Sequence, residues 1–338
     1  MNDNAIVIAA LCSHLGDEEP KPLEPKAWSA LEAALSTQNL QPSNLLKLGK
    51  SELTELLAAD EAYAERLQRL LDRVTGLSFE LSRYETMGIH LLTKWDEQYP
   101  SKLKQKLDST CPPLFYAAGD WSLLERQAVG YVGSRSIGEA DEDFTKQTVQ
   151  KTVRFGYGVV SGGAKGTDTV AETAALDAGG TAVAFLADSM LRKLKNARII
   201  QAVQERRLLL LSPVNPEAGF NAGIAMMRNR YIYAQSDAAV VVKSDYNKGG
   251  TWAGATDNLK HRLAATLCRD HKAYPGNKAL LAFFQMEIQN KNKKSLVNQV
   301  EYKVYDENRK DLDLSKCNNS NIKIFYGIKN NSNLDISV

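Results

Sequence analysis

Between residues 128 and 261 the chain alternates short apolar runs with stretches of helical spacing, and this alternation limits the possible folds more than any other feature. The runs fall at 128–132, 156–160, 181–186, 207–211 and 238–242. They lack the polar alternation of a half-exposed strand, so each reads as a strand covered on both faces. Helical stretches lie near 139–154, 168–178, 196–205, 221–235 and 252–261. Strand and helix repeated in this order predict an α/β fold with a doubly wound, mostly parallel sheet. Ligands on such a sheet bind beyond the carboxyl ends of the strands, so the residues that follow each run are the ones to read for chemistry.

Three of those strand ends are glycine turns. The first is Gly133-Ser134-Arg135-Ser136, which offers a hydroxyl and a guanidinium. The second is Ser161-Gly162-Gly163-Ala164-Lys165-Gly166-Thr167-Asp168, directly before an alanine-rich helical stretch. Glycines there let the backbone approach a ligand, and the helix start adds unpaired N–H groups and a positive dipole end, a combination suited to phosphate. The last run is followed by Lys243 and then Asn247-Lys248-Gly249-Gly250-Thr251-Trp252. Within the helical stretch before it, Arg228-Asn229-Arg230 sets two guanidiniums around an amide. Guanidinium forks and backbone N–H groups both suit phosphate oxygens. The four motifs together predict a phosphate-bearing ligand, with Asp168 either capping its helix or acting as a reactive carboxylate.

The flanks differ from this body. Residues 1–80 read as an all-helical module, with Ala27, Ala30, Leu31, Ala34 and Leu35 and then Leu53, Leu56 and Leu57 at helical spacing, and Ser51 as an N-cap candidate. The module carries 13 acidic against 7 basic side chains, net −6, which leaves +8 on the rest of a chain whose total is +2. That asymmetry places an anionic ligand on the body and gives the acidic module a docking or covering role. Residues 81–284 form the sheet domain. Its lead-in has a short strand within 85–92, then Trp95–Pro100 and Cys111–Tyr116, whose aromatic residues read as core rather than as base-stacking platforms. From 285 to 338 the composition turns to Asn, Lys, Asp and Ser, with a linker at 290–294 and strand-like patterns at 300–305 and 322–326. This reads as a small β-containing appendage.

Several function classes are excluded. No apolar run reaches the roughly 18 residues of a membrane span, and the N-terminus lacks the basic start of a signal peptide, so a cytoplasmic location is expected. Cys12, Cys111, Cys268 and Cys317 and the four histidines are scattered without metal-ligand spacing; no metal and no cofactor are expected. Gly49-Lys50-Ser51 has Asn44 where a nucleotide-triphosphate loop needs its first glycine, and the turn after the first strand has one glycine where a dinucleotide fingerprint has three.

The Gly-Ser-Arg turn, the Ser-Gly-Gly-Ala-Lys-Gly-Thr-Asp turn, Arg-Asn-Arg and the late Gly-Gly-Thr turn, in this order, resemble the DNA-processing protein A (DprA/Smf) family over roughly residues 85–275. Trp95–Pro100 and Pro113–Tyr116 resemble its pre-sheet segment. The resemblance implies an extended Rossmann-like domain that binds single-stranded DNA by its backbone phosphates, commonly as a homodimer that hands DNA to a RecA-type recombinase. Taken with the glycine turns read above, it gives as candidate phosphate contacts Gly133, Ser134, Arg135, Ser161, Gly162, Gly163, Lys165, Gly166, Arg228, Asn229, Arg230, Lys248, Gly249, Gly250 and Thr251, of which Gly163 and Lys248 come from the turns alone. The sequence departs from the family at Thr167, where an isoleucine is usual, at Glu172, where a histidine is usual, and at Lys248-Gly249-Gly250-Thr251-Trp252, where a Ser-Gly-Ser-Leu turn is usual. No winged helix is recognisable at the C-terminus. These departures point to a diverged member, with a setting in phage defence or on a mobile element as one hypothesis.

Two alternatives stand beside nucleic-acid binding. Related folds include hydrolases of the N-glycosidic bond of nucleotides, for which Asp168 and Asp257 are the candidate carboxylates. A sensor of a small signalling nucleotide is the other.

Overall fold

A computed structural model describes residues 2–15, 19–57, 60–282 and 322–325. The expected linker at 290–294 and strand at 300–305 lie outside these residues. In chain order the strands are β1 (His90–Thr93), β2 (Leu114–Gly119), β3 (Ala128–Val132), β4 (Gly158–Ser161), β5 (Ala182–Phe185), β6 (Leu208–Ser212), β7 (Ala238–Val241), β8 (Ala265–Arg269) and β9 (Ile322–Phe325). The chain forms two compact units, Met1–Leu124 with Leu186–Phe220, and Glu125–Phe185 with Asn221–Val338.

The first unit is built around the helix Asp3–Cys12, in which every residue from Ala5 to Leu11 is buried. A helix that is apolar all round must sit inside its neighbours, and those include the helices Pro25–Thr37, Glu61–Leu71 and Val74–Thr86 and the short 3-10 turn Pro42–Lys47. Asn2 caps it by accepting the Ala5 N–H at 2.7 Å. At its other end the Arg73 guanidinium donates to the carbonyls of Ala10 at 3.2 Å and Ser13 at 3.0 Å, and also to that of Leu15. Helix C-termini leave carbonyls without partners, and one arginine serves three. Arg73→Ala is expected to cost about 2–3 kcal/mol, measured as a lower urea midpoint at unchanged slope.

Ser51 does not cap its helix: the helix begins one residue earlier, and the Glu52 carboxylate reaches back to accept the Gly49 N–H at 2.7 Å. The helix Val74–Thr86 runs through the boundary expected at residue 80, because its apolar face continues through Leu77, Leu81 and Tyr84. The short strand expected within 85–92 starts only at His90, after the turn that ends this helix. β1 and β2 pair antiparallel, and β2 pairs antiparallel with β6. Tyr99, Phe115 and Tyr116 are fully buried, with Tyr99 stacked on Phe115 at 5.7 Å.

The second unit carries the parallel sheet, in the order β5-β4-β3-β7-β8, with β9 antiparallel on β8. β8, which the sequence reading leaves out, is a buried strand like the others. Four helices matter for the site: α1 (Glu139–Arg154), α2 (Thr167–Asp177), α3 (Ala222–Gln235) and α4 (Gly249–His261). α3 lies close on β3, where a Cβ at Gly130 would stand 2.6 Å from Ser236 Oγ and 3.3 Å from Ile232.

Candidate nucleic-acid interface

From β3 the chain winds outward to β4 and β5 on one side, and later fills β7 and β8 on the other. The winding therefore reverses between β3 and β7, and the carboxyl ends of strands flanking such a reversal open a crevice. The turns after β4, β3 and β7, the first turns of α2 and α4, and α3 hold the phosphate-site residues expected from the sequence, and Asp257 lies further along α4.

The turns after β3 and β4 are joined through backbone. The Ser134 carbonyl accepts both the Thr167 N–H and the Thr167 hydroxyl at 3.2 Å, and the Ser134 N–H donates to the Lys243 carbonyl at 3.0 Å. Ser134 Oγ accepts the Ser136 N–H at 3.0 Å, so this hydroxyl shapes its own turn. Thr167 fills the space in front of Gly133, where a Cβ would lie 2.3 Å from its hydroxyl oxygen. The departure from isoleucine thus adds a second hydrogen bond between the two turns to the one that the backbone N–H makes. Gly166 takes φ +84°, and a Cβ there would stand 2.5–2.6 Å from the Ser134 and Arg135 carbonyls. Only glycine meets both demands. Ser161 is fully buried and accepts the Gly163 N–H at 3.4 Å.

Arg228 and Asp168 tie α3 to the second turn. Arg228 Nη1 lies 3.0 Å from Asp168 Oδ2, and the two residues are 4% and 7% exposed. The same carboxylate oxygen accepts the Ala164 N–H at 3.4 Å. A Cβ at Gly162 would lie 1.0 Å from Arg228 Nη1. The arginine side chain, not an open path to solvent, occupies the space in front of Gly162. Asn229 continues the chain of contacts, donating from Nδ2 to the Gly250 carbonyl at 3.0 Å. Arg230 Nε stands 2.9 Å from Asp257 Oδ2, and His261 Nδ1 stands 3.0 Å from Asp257 Oδ1. Both candidate carboxylates are therefore engaged with cationic or ionisable partners. Of the Arg-Asn-Arg element, Arg228 and Asn229 hold the site's parts together, and the Arg230 side chain keeps 28% of its surface exposed.

The side chains that face outward are Arg135, Lys165 and Lys248. Lys248 is the N-cap residue of α4 but its side chain does not cap the helix. Gly249, Gly250 and Thr251 open that helix, with Gly249 at φ +76°. The result is a row of two glycine turns, a helix start and three exposed cations, braced by the buried Arg228–Asp168 pair and by the Ser134–Thr167 and Asn229–Gly250 hydrogen bonds. Such a surface suits a chain of phosphates.

Sequence reasoning does not reach two features. Asp141, at the start of α1, is 2% exposed and collects Arg269 Nη1 at 2.7 Å, Lys243 Nζ at 3.4 Å and the Tyr274 hydroxyl. Lys243 also donates to the Ser136 carbonyl at 3.0 Å, so this cluster supports the first turn from behind. Its members are 128 and 133 positions from Asp141 in the cases of Arg269 and Tyr274, and no local pattern links them. The other is the aromatic pair Tyr246 and Trp252. Among the described residues no group of His, Cys, Asp and Glu is placed to hold a metal, and no helix is long and apolar enough to cross a membrane.

Comparison with known proteins agrees with the architecture. The DNA processing protein DprA of Bacillus subtilis is 26% identical over 224 residues, covering 63% of this chain and 74% of that protein. DprA of Streptococcus pneumoniae is 30% identical over 158 residues, 44% of this chain and 52% of that protein. The X-ray structure of DNA processing protein A from Streptococcus pneumoniae has the same fold, with TM-score 0.64 over 85% of this chain and 93% of that one at 19% identity. The family model described as DNA recombination-mediator protein A matches residues 90–288. That span exceeds half the sequence and includes every turn of the site, and the chain belongs to this family.

Proposed function

We propose that the chain binds single-stranded DNA through its backbone phosphates, along the turns after β4, β3 and β7, and acts as a recombination mediator. The observation that carries this reading is the continuous bracing of the four motifs: Ser134 to Thr167, Asp168 to Arg228, and Asn229 to Gly250. A single phosphate needs one such turn; three in a fixed row, with Arg135, Lys165 and Lys248 outermost, fit a strand. Family membership supports extending the reading to a homodimer that hands the strand to a RecA-type recombinase. The acidic helices of residues 1–80 are assigned to docking or cover, since their net charge of −6 repels phosphate.

The test is fluorescence anisotropy with a labelled oligothymidylate at several salt concentrations. Log affinity is expected to fall linearly with log salt, by about 0.7 per phosphate contacted. Lys165→Ala and Lys248→Ala are each expected to reduce that slope by about 0.7 without changing the unfolding midpoint. Absent binding, or binding indifferent to salt, would falsify the proposal.

A further inference from the structure

The loop between β7 and α4 carries an aromatic pair that phosphate binding does not use. Tyr246 is 57% exposed, and its ring meets Trp252 edge-on, with centroids 5.1 Å apart and planes at 70°. An aromatic ring left that open loses apolar burial, so its position needs an explanation beyond packing.

The stem of the loop is held firmly. Ser244 is 1% exposed; its N–H donates to Asn277 Oδ1 at 2.7 Å, its carbonyl accepts the Gly276 N–H at 3.1 Å, and its hydroxyl donates to the Asp245 carbonyl at 3.1 Å. Asn277 is itself fully buried and donates to the carbonyls of Val242 at 3.2 Å and Arg269 at 2.9 Å. Beyond this anchor the chain reverses through Asn247 at φ 54° and Gly249 at φ +76°. The reversal brings Tyr246 back against the first turn of α4, on either side of Lys248 and the opening glycines in sequence. The ring therefore projects from a fixed stem beside a helix start and an exposed ammonium.

We infer that Tyr246 and Trp252 form a stacking platform for a nucleobase of the strand whose phosphate lies at Lys248-Gly249-Gly250. The inference rests on the strand-binding reading and adds to it a contact with the base. An exposed π-face accepts any base, and a base is held one sugar away from its phosphate, so an aromatic group next to a phosphate turn is within its reach. The T-shaped contact with Trp252 sets the tilt of the Tyr246 ring, which keeps more than half of its surface exposed. The contact is indifferent to base identity, and it gives the protein a means of preferring single strands, whose bases are unstacked, over duplex, whose bases are not.

The experiment compares the full-length protein binding two labelled strands of about 20 nucleotides, oligothymidylate and the same backbone with abasic sites throughout. The wild type is expected to bind the thymidylate about ten-fold more tightly than the abasic strand. Tyr246→Ala, at an exposed position, and Trp252→Leu, which keeps an apolar group in the half-buried one, are expected to bring the thymidylate down to the abasic affinity and to leave both the abasic affinity and the salt slope unchanged. Tryptophan fluorescence quenched by the thymidylate is expected to lose that quench in Trp252→Phe. Equal wild-type affinity for the two strands overturns the platform and leaves the phosphate reading standing. Tyr246→Ala that still discriminates between them overturns it as well. Failure to bind either strand overturns the strand reading, and the platform with it.

Discussion

Arg228→Ala is expected to destabilise the protein by about 3–5 kcal/mol, because it leaves the Asp168 carboxylate buried without its cation. The pair is 3.0 Å apart, with side chains 5% and 9% exposed, and deep enough that water cannot replace the lost partner cheaply. Part of the cost is also volume: the guanidinium fills the space above Gly162. Asp168→Asn is expected to cost less, since an amide oxygen still accepts from the Ala164 N–H. Replacing both residues together, as Arg228→Met with Asp168→Leu, is expected to recover much of the loss, because well-packed apolar groups often match a buried ion pair in stability. Urea unfolding of the wild type, Arg228→Met, Asp168→Leu and the variant with both closes a double-mutant cycle and gives the coupling energy. DNA binding then separates two roles for the arginine. A bracing Arg228 lowers stability and leaves the salt slope of the folded protein unchanged. If instead Arg228→Ala kept its unfolding midpoint and lost about 0.7 from the slope, the arginine would be a phosphate ligand.

The sheet was legible because its strands are buried on both faces and stand out as apolar runs. Four of the five runs expected became parallel strands of the second unit, β3, β4, β5 and β7. The fifth became β6, which pairs antiparallel with β2. That pairing is decided by Leu114–Gly119, which its flanking prolines made read as a lead-in. The site's turns were legible for a different reason: glycine at Gly162 and Gly166 answers close approaches that no other residue tolerates. The jobs of the polar side chains were not legible. Arginine in a phosphate motif reads the same in sequence whether it points outward, as Arg135 does, or inward at a carboxylate 60 positions away, as Arg228 does. Burial separates the two, and burial is set by the packing of α3 on β3, which no local window contains.

Asp141→Asn is expected to cost about 3–5 kcal/mol and to change the acid limb of the stability curve. Burial alone pushes this carboxyl up, but hydrogen bonds from Tyr274, the Gly138 N–H and Arg269, with the charge of Lys243, hold it net below its ordinary value. As pH falls, the unfolded chain takes up the proton first, near the ordinary aspartate value of about 3.9. The stabilisation is therefore complete above that pH and is lost as pH drops through the lower folded-state value. Thermal unfolding between about pH 5 and pH 2 is expected to show a shallower fall in Tm for Asp141→Asn than for the wild type. Tyr274 acts at the other end. Burial and the neighbouring Asp141 raise its hydroxyl, so its contribution is full below about pH 10 and is lost as pH rises further. Tyr274→Phe is expected to flatten that alkaline limb only. The same cluster reaches the ligand site through Lys243, whose ammonium bridges Asp141 to the Ser136 carbonyl at 3.0 Å. Without Asp141 the first phosphate turn loses its rear support, and strand affinity is expected to fall in Asp141→Asn even at neutral pH, with the salt slope unchanged. A variant that lost stability but kept full affinity would show that the turn is held by Thr167 and Lys243 backbone contacts alone.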